Sequence, residues 1–249
     1  MIPFVGFGTY RILNQEIFEI AIKCGYNAFD TAELYKNEQL VKNAIDKCSD
    51  GKKIHITTKI SKKSIESENI TESFYERLSI FGYIDIILLH HPTNNCKRDW
   101  DTLCSLYSKN RDKVGYIGVS NYDINHIEQI KDSLFKPYCD QIELSPFYTR
   151  KELVEYLNNH KIRIVSHTTL TRTEKFGSTI LIEMSDIYKC SVANILLSWA
   201  NIKNYTVVPK SIDINHITEN ISHRTILDKK DIDILDSLNE NFFITKVII

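Results

Sequence analysis

Short β-branched or apolar runs recur along the chain, and each is followed by a stretch in which apolar positions return every three or four residues. That alternation is what strand and amphipathic-helix units laid end to end produce. Strands are expected to begin near Val5, Ala28, His55, Ile84, Tyr116, Asp140, Arg163 and Tyr205. Between them helices are expected over Gln15–Cys24, Glu38–Cys48, Thr71–Phe81, Trp100–Asn110, Asn125–Ser133 and Lys151–Asn159. A pair follows at Thr179–Lys189 and Val192–Asn201, then Asn215–His223 and Lys230–Asn239. The helix at Lys151–Asn159 shows the pattern plainly, with Leu153, Tyr156 and Leu157 on one face and charges or amides on the other. Gly25 and Gly82 stand where helices commonly terminate.

The strand starts lie about 23 to 42 residues apart with no Pro-, Gly- or Ser-rich linker between them, so residues 1–249 read as a single domain. Eight strand-helix units in 249 residues predict an α/β fold of the (β/α)8 TIM-barrel type, because doubly wound open sheets usually stop at fewer strands. The G-x-G at Gly6-Phe7-Gly8 is too short to signal a dinucleotide fold and reads as a tight turn.

Composition narrows the function classes. With 43% apolar residues, 8 Gly and 5 Pro, the chain is neither a disordered tail nor a collagen-like fibre. The 31 basic residues against 32 acidic ones leave a net charge of −1, so no nucleic acid partner is expected. Six cysteines at wide intervals form no C-x-x-C pair and read as reduced thiols. His126, His216 and His223 form no metal-binding pattern, and no metal site is expected. No 18-residue apolar run or signal-type N-terminus occurs, so the expectation is a cytoplasmic chain without a membrane partner. A monomer is the simplest expectation at this size.

In a TIM barrel the chemistry gathers at the C-terminal ends of the strands. There stand Asp30 and Tyr35 after the second strand, Lys59 after the third, His90 and His91 after the fourth, and Ser120 and Asn121 after the fifth. Gln141 and Glu143 follow the sixth, and Lys210 and Ser211 the eighth. Asp30, Tyr35, Lys59 and His90 make a coherent proton-transfer group. A phenol is a poor acid at neutral pH, but a nearby ammonium lowers its pKa. Lys59 would supply that charge, Asp30 would hold the lysine protonated, and neutral His90 would orient a substrate carbonyl. Tyr35 would then donate a proton as the carbonyl carbon receives hydride. Any one of the four alone is more often structural: Asp30 a helix cap, Lys59 a rim charge, His90 a satisfied polar group. All four at three successive strand ends argue for chemistry.

Further motifs carry a resemblance. Gly6-Phe7-Gly8-Thr9, Asp30-Thr31-Ala32-Glu33-Leu34-Tyr35-Lys36-Asn37-Glu38, Thr58-Lys59 and Leu89-His90-His91-Pro92 occur in order. They are followed by Ile117-Gly118-Val119-Ser120-Asn121-Tyr122, Gln141-Ile142-Glu143-Leu144-Ser145-Pro146, Val208-Pro209-Lys210-Ser211 and Glu219-Asn220. From Pro3 to about Asn239 the chain resembles the aldo-keto reductases. The resemblance implies a TIM barrel that binds NADPH, with NADH as the alternative, and reduces a small-molecule aldehyde or ketone by direct hydride transfer. It implies Asp30, Tyr35, Lys59 and His90 as the catalytic group, with Tyr35 the general acid. Ser120, Asn121 and Gln141 correspond to residues that bind the nicotinamide carboxamide. Lys210 and Ser211 correspond to contacts of the 2′-phosphate, with Glu219 and Asn220 near the adenine. Thr9, Tyr10, Asp30, His167, Leu170 and His216 complete the implied cofactor-binding set, Tyr10 being an aromatic on the substrate side.

The chain departs from the family pattern at several points. His91 stands where Trp is usual. His216 stands where an Arg is usual, and imidazole is only partly charged near neutrality. His167 falls where an aromatic usually stacks on the nicotinamide, offering less area than a phenol. Arg172 and Lys175 read either as contacts to the cofactor pyrophosphate or as solvated charges. No N-terminal hairpin is expected, and Met1 to Phe4 are expected to close the barrel floor. The segment from His91 to Trp100 is short and ten residues, Glu240 to Ile249, follow the last helix. Shortened substrate loops predict a shallow, open site. The alternative to an enzyme is an aldo-keto-reductase-like cofactor-binding or regulatory protein with little turnover.

Overall fold

The computed structural model describes residues 5–222 and 225–245. Eight parallel strands follow one another around a single sheet: β1 (Phe7–Gly8), β2 (Ala28–Asp30), β3 (His55–Ile60), β4 (Ile84–Leu89), β5 (Val114–Ser120), β6 (Cys139–Glu143), β7 (Arg163–His167) and β8 (Thr206–Val207). The sheet curls back on itself: Val5 bridges Val207 in parallel, and the Gly6 and Gly8 amides donate to Val207 O at 2.8 Å and Pro209 O at 2.9 Å. The two edges approach closely at Gly8, where an added Cβ would lie 2.6 Å from Val208 O.

β4 shows why the strands read as apolar runs. Ile86 and Leu88 face the barrel interior with Cys139 and Val165, while Ile84, Ile87 and Leu89 join the larger core between barrel and helices. Both faces are buried, as a parallel sheet wrapped by helices requires. Trp100 and Trp199 are buried in that outer core, and each satisfies its indole N–H, Trp100 on Phe135 O at 2.9 Å and Trp199 on Asp236 at 2.7 Å.

Among the described residues the helices are α1 (Gln15–Lys23), α2 (Glu38–Cys48), α3 (Lys62–Glu66), α4 (Ile70–Phe81), α5 (Cys96–Lys109), α6 (Ile124–Ile130), α7 (Lys151–Asn159), α8 (Thr179–Tyr188), α9 (Val192–Ile202), α10 (Ile214–Ser222) and α11 (Lys229–Ser237). Three local features escape the hydrophobic pattern: α3 and the 3-10 turns Glu33–Tyr35 and Thr171–Thr173. They are too short to repeat an apolar spacing. α3 is started by its cap, the Ser61 hydroxyl accepting from Ser64 N at 3.2 Å. α5 begins four residues earlier than Trp100 because its first turn, Cys96-Lys97-Arg98-Asp99, is mostly polar.

At the opposite, N-terminal end of the barrel, Tyr116 stacks on Tyr138 with ring centroids 3.9 Å apart, and the Arg163 guanidinium lies 5.2 Å from the Tyr138 ring. Met1 to Phe4, His223 and the last four residues lie outside the described residues. No helix is long and apolar enough to cross a membrane among the described residues.

Candidate active site

β2 and β3 run side by side with Asp30 opposite Thr57, which brings the Asp30 carboxylate to the fully buried Lys59. Lys59 Nζ lies 2.5 Å from Asp30 Oδ1, donates to Thr31 O at 3.0 Å, and stands 3.5 Å from the Tyr35 hydroxyl. Burial pulls towards the neutral amine, yet the Asp30 carboxylate and the Tyr35 phenol outweigh it, and the lysine pKa lies above its ordinary value. Asp30 Oδ2 also accepts from Gln141 Nε2 at 2.6 Å, which joins β2 to the far strand β6.

Tyr35 ends the 3-10 turn Glu33–Tyr35, and Lys36 follows in a left-handed conformation, φ +53°. Buried Asn37 fastens this loop, its amide donating to Thr9 O at 2.8 Å and Ile12 O at 2.9 Å and its oxygen accepting from Thr31 Oγ1 at 2.9 Å. The Lys59 ammonium pulls the Tyr35 pKa down, as expected, but it is not the largest influence there. The phenol's net pKa is raised, because burial exceeds the opposing pull of Lys59 and Asp30 pushes further up. Lys59 therefore offsets part of the burial rather than making Tyr35 a stronger acid than free phenol. Tyr10, exposed above the site, sets its ring 5.0 Å from the Tyr35 ring.

From β4, His90 presents its ring edge to Tyr35 at a centroid distance of 5.7 Å. Burial and then the Lys59 charge hold His90 well below the usual histidine pKa, so the ring is neutral. Its Nδ1 is buried without a hydrogen-bond partner among the described residues. His91 stacks on His90 at 4.7 Å and is also held neutral by burial, its pKa lowered to about 4.

Ser120 and Asn121, at the end of β5, meet Gln141, which lies inside β6 opposite Ser120 rather than beyond the strand as expected. Ser120 Oγ donates to Gln141 O at 2.8 Å, and Asn121 Nδ2 donates to His90 O at 3.1 Å and Ser120 Oγ at 3.0 Å. Asn121 adopts φ +62°, a left-handed conformation that Asn tolerates. His167 Nε2 lies 3.0 Å from Asn121 Oδ1, and burial lowers its pKa to about 3.

The remaining expected residues form a looser group. Lys210 and His216 are exposed, Ser211 and Glu219 half-buried, Asn220 buried and Leu170 half-buried against the outer core. Thr9 is fully buried and donates to Asp30 O at 3.0 Å. Lys210 lies beside β1, where a Cβ on Gly8 would stand 3.5 Å from its own Cβ.

Residues 8–175 match the model of the aldo/keto reductase family. The chain belongs to the aldo/keto reductases. It is 31% identical to the glyoxal reductase of Bacillus subtilis (strain 168) over 250 residues, covering 96% of this chain and 90% of that one. It is 28% identical to the methylglyoxal reductase DkgB of Escherichia coli O157:H7, covering 94% and 93%. An aldo/keto reductase from Brucella melitensis, 29% identical, superposes with a TM-score of 0.89 over 96% of this chain and 94% of that one. Such reductases are oxidoreductases that use a nicotinamide cofactor.

Several features of this reductase escape sequence reasoning. Glu143, at the end of β6, accepts from Ile244 N at 2.8 Å and Thr245 N at 2.7 Å, so the chain after α11 is drawn back over the β6–β7 mouth. Asn239 Oδ1 accepts from Thr149 N at 2.9 Å, and the Phe242 amide donates to Phe147 O at 3.1 Å. The open site expected from shortened loops is thus walled on this side. Lys175, in the loop after β7, packs on the same strap, paired with Glu240 and 4.2 Å from the Phe242 ring. Arg172 is exposed. Asp213, also unanticipated, caps α10 by accepting from Asn215 N at 2.8 Å and His216 N at 3.1 Å, and its own amide donates to Ser211 Oγ at 3.1 Å. An Asp immediately ahead of a helical run is the signal that could have found it.

The donor set suits a nicotinamide cofactor. Ser120, Asn121 and Gln141 offer a hydroxyl and two amides on the adjoining strands β5 and β6, groups complementary to a carboxamide. The orphaned Nδ1 of His90 is a buried atom of the kind that a hydrogen-bonding guest stabilises by about 1–3 kcal/mol.

Proposed function

We propose that this reductase converts a small aldehyde or ketone to the alcohol with NADPH, that 2-oxoaldehydes such as methylglyoxal are among its substrates, and that Tyr35 is the general acid. The observation that carries the reading is a fully buried Lys59 ammonium held 2.5 Å from Asp30 and 3.5 Å from the Tyr35 hydroxyl. A structural salt bridge needs no phenol beside it. The names of the glyoxal and methylglyoxal reductases to which the chain is similar support the substrate class.

Bound nicotinamide supplies the hydride. Ser120, Asn121 and Gln141 hold its carboxamide, and Lys210 and Ser211 receive the 2′-phosphate. Neutral His90 donates to the substrate oxygen and orients it towards Tyr35. Tyr35 gives its proton to that oxygen as negative charge develops there, and the phenolate left behind is stabilised by the Lys59 ammonium. Asp30 keeps Lys59 charged throughout. The Asp213 carboxylate occupies the first amides of α10, and an imidazole at position 216 is only partly charged where an arginine would be fully so, so NADH is accepted as a weaker cofactor.

The test pairs binding with turnover. NADPH titrated by fluorescence should saturate the protein, and methylglyoxal should then consume NADPH. Tyr35→Phe should lower kcat by about 10²- to 10⁴-fold with cofactor binding unchanged. Saturable binding with no turnover on a broad carbonyl panel would instead identify a cofactor-binding module.

A further inference from the structure

Arg77 takes no part in the group described above. It lies on α4, buried behind β3, and reaches two carboxylates that flank Tyr35 in the chain. Its Nε is 2.9 Å from Glu38 Oε2, an ion pair without a well-formed hydrogen bond, its Nη1 is 3.5 Å from Glu33 Oε2, and its Nη2 donates to the exposed Glu76 carboxylate at 2.9 Å. Glu33 opens the turn that ends in Tyr35, and Glu38 opens α2 three residues beyond it.

Each carboxylate is tied onward. Glu33 accepts from Ser61 N at 2.8 Å, Ser64 Oγ at 2.5 Å and Ser73 Oγ at 2.9 Å, while Arg77 Nη1 donates to the same Ser73 hydroxyl at 2.8 Å. Glu38 accepts from Thr58 Oγ1 at 2.5 Å, and Thr58 is the neighbour of Lys59 on β3. The guanidinium thus links the loop that carries Tyr35 to the strand that carries Lys59.

We propose that Arg77 is a positioning residue for carbonyl reduction, gripping Glu33 and Glu38 so that the Tyr35 hydroxyl is held within reach of Lys59. The proposal rests on the reading of Tyr35 as the acid. The segment 31–37 contains one 3-10 turn and a left-handed residue, so its shape depends on cross-links rather than on repeating backbone bonds. Asn37 anchors it to the loop after β1, and Arg77 anchors it from the opposite side through α4. At 3.5 Å the phenol–ammonium contact is at the limit of hydrogen bonding, where a small shift is felt. A planar, permanently charged fork is suited to two carboxylates at once, and an ammonium is not.

Arg77→Met and the gentler Glu33→Gln, each made alone and together with Tyr35→Phe, test this with NADPH and methylglyoxal. In the Tyr35 background each should lower kcat by about 10- to 100-fold, because a displacement of about 1 Å has that effect. KM for methylglyoxal and NADPH affinity should stay within about twofold, and Arg77→Lys should recover only part of kcat. In the Tyr35→Phe background the same changes should lower the residual rate by less than about twofold, since the group being positioned is gone. An equal loss in both backgrounds, or a folded Glu33→Gln enzyme with unaltered kcat, overturns the positioning role alone. A Tyr35→Phe enzyme as fast as its parent overturns the acid assignment and this proposal together. Should Arg77→Met fail to fold, Glu33→Gln carries the test, because that carboxylate is partly exposed and its amide can still accept from Ser61.

Discussion

At the ends of β2 and β3 the charged groups are buried and bonded to one another, whereas at the end of β8 they face solvent. Lys59 is fully buried and meets Asp30, Thr31 and Tyr35; Lys210 is exposed at the rim. The first arrangement holds its geometry in advance, because a buried charge is tolerated only with its partners in place. The second is cheap to build and is screened by salt, because an exposed ammonium keeps its water and needs no partner in fixed geometry. One corner is suited to chemistry that demands fixed distances and the other to a ligand that brings its own charge.

The largest effect that sharpens this contrast is Lys59→Met. It leaves Asp30 buried with Gln141 as its remaining partner and should lower unfolding stability by about 3–5 kcal/mol, read by urea denaturation, besides abolishing measurable reduction. A Lys59→Met protein as stable as its parent would break the comparison.

Asp140 comes next, a buried acid on β6 without a well-formed hydrogen bond at either carboxylate oxygen. Burial, opposed by Arg150, raises its pKa to about 8. Between the ordinary carboxylate range and about pH 8 the native state keeps a proton that the unfolded state has released, so stability should fall as pH rises through that window. Asp140→Asn should remove the slope and raise stability at pH 8 by about 1–3 kcal/mol, measured by denaturant melts across the pH range. An unchanged slope would mean that the carboxyl is ionised and solvated in the native state.

The smallest effect belongs to the rim. Lys210→Met should weaken NADPH binding by about tenfold at low salt, leave NADH binding unchanged and leave the melting temperature where it was. A loss of thermal stability on this change would show the rim to be as tightly built as the catalytic corner.

Much of this architecture is legible in the amino-acid sequence. The eight strand starts fall within two residues of those observed, because parallel strands buried on both faces leave uninterrupted apolar runs. Asp30, Lys59, His90 and Ser120 are readable as strand-end residues, and the fold brings them together with Tyr35, Asn121 and Gln141. The 3-10 turn that carries Tyr35 is not readable, being a single turn without periodicity. Nor is the strap after α11, whose anchor Glu143 bonds to amides 101 and 102 residues away.

The order of strands and helices, and the identity of the polar side chains at the strand ends, are thus written in the chain, since both follow from local hydrophobic period and chain direction. How those side chains behave is settled only by long-range packing. Asp30 meets Gln141 across 111 residues, Arg77 reaches back to Glu33 and Glu38, and Tyr35 titrates upward although an ammonium stands beside it. Closure of the barrel sets how much water each group loses and which distant partner replaces it, and no local pattern in the chain encodes either quantity.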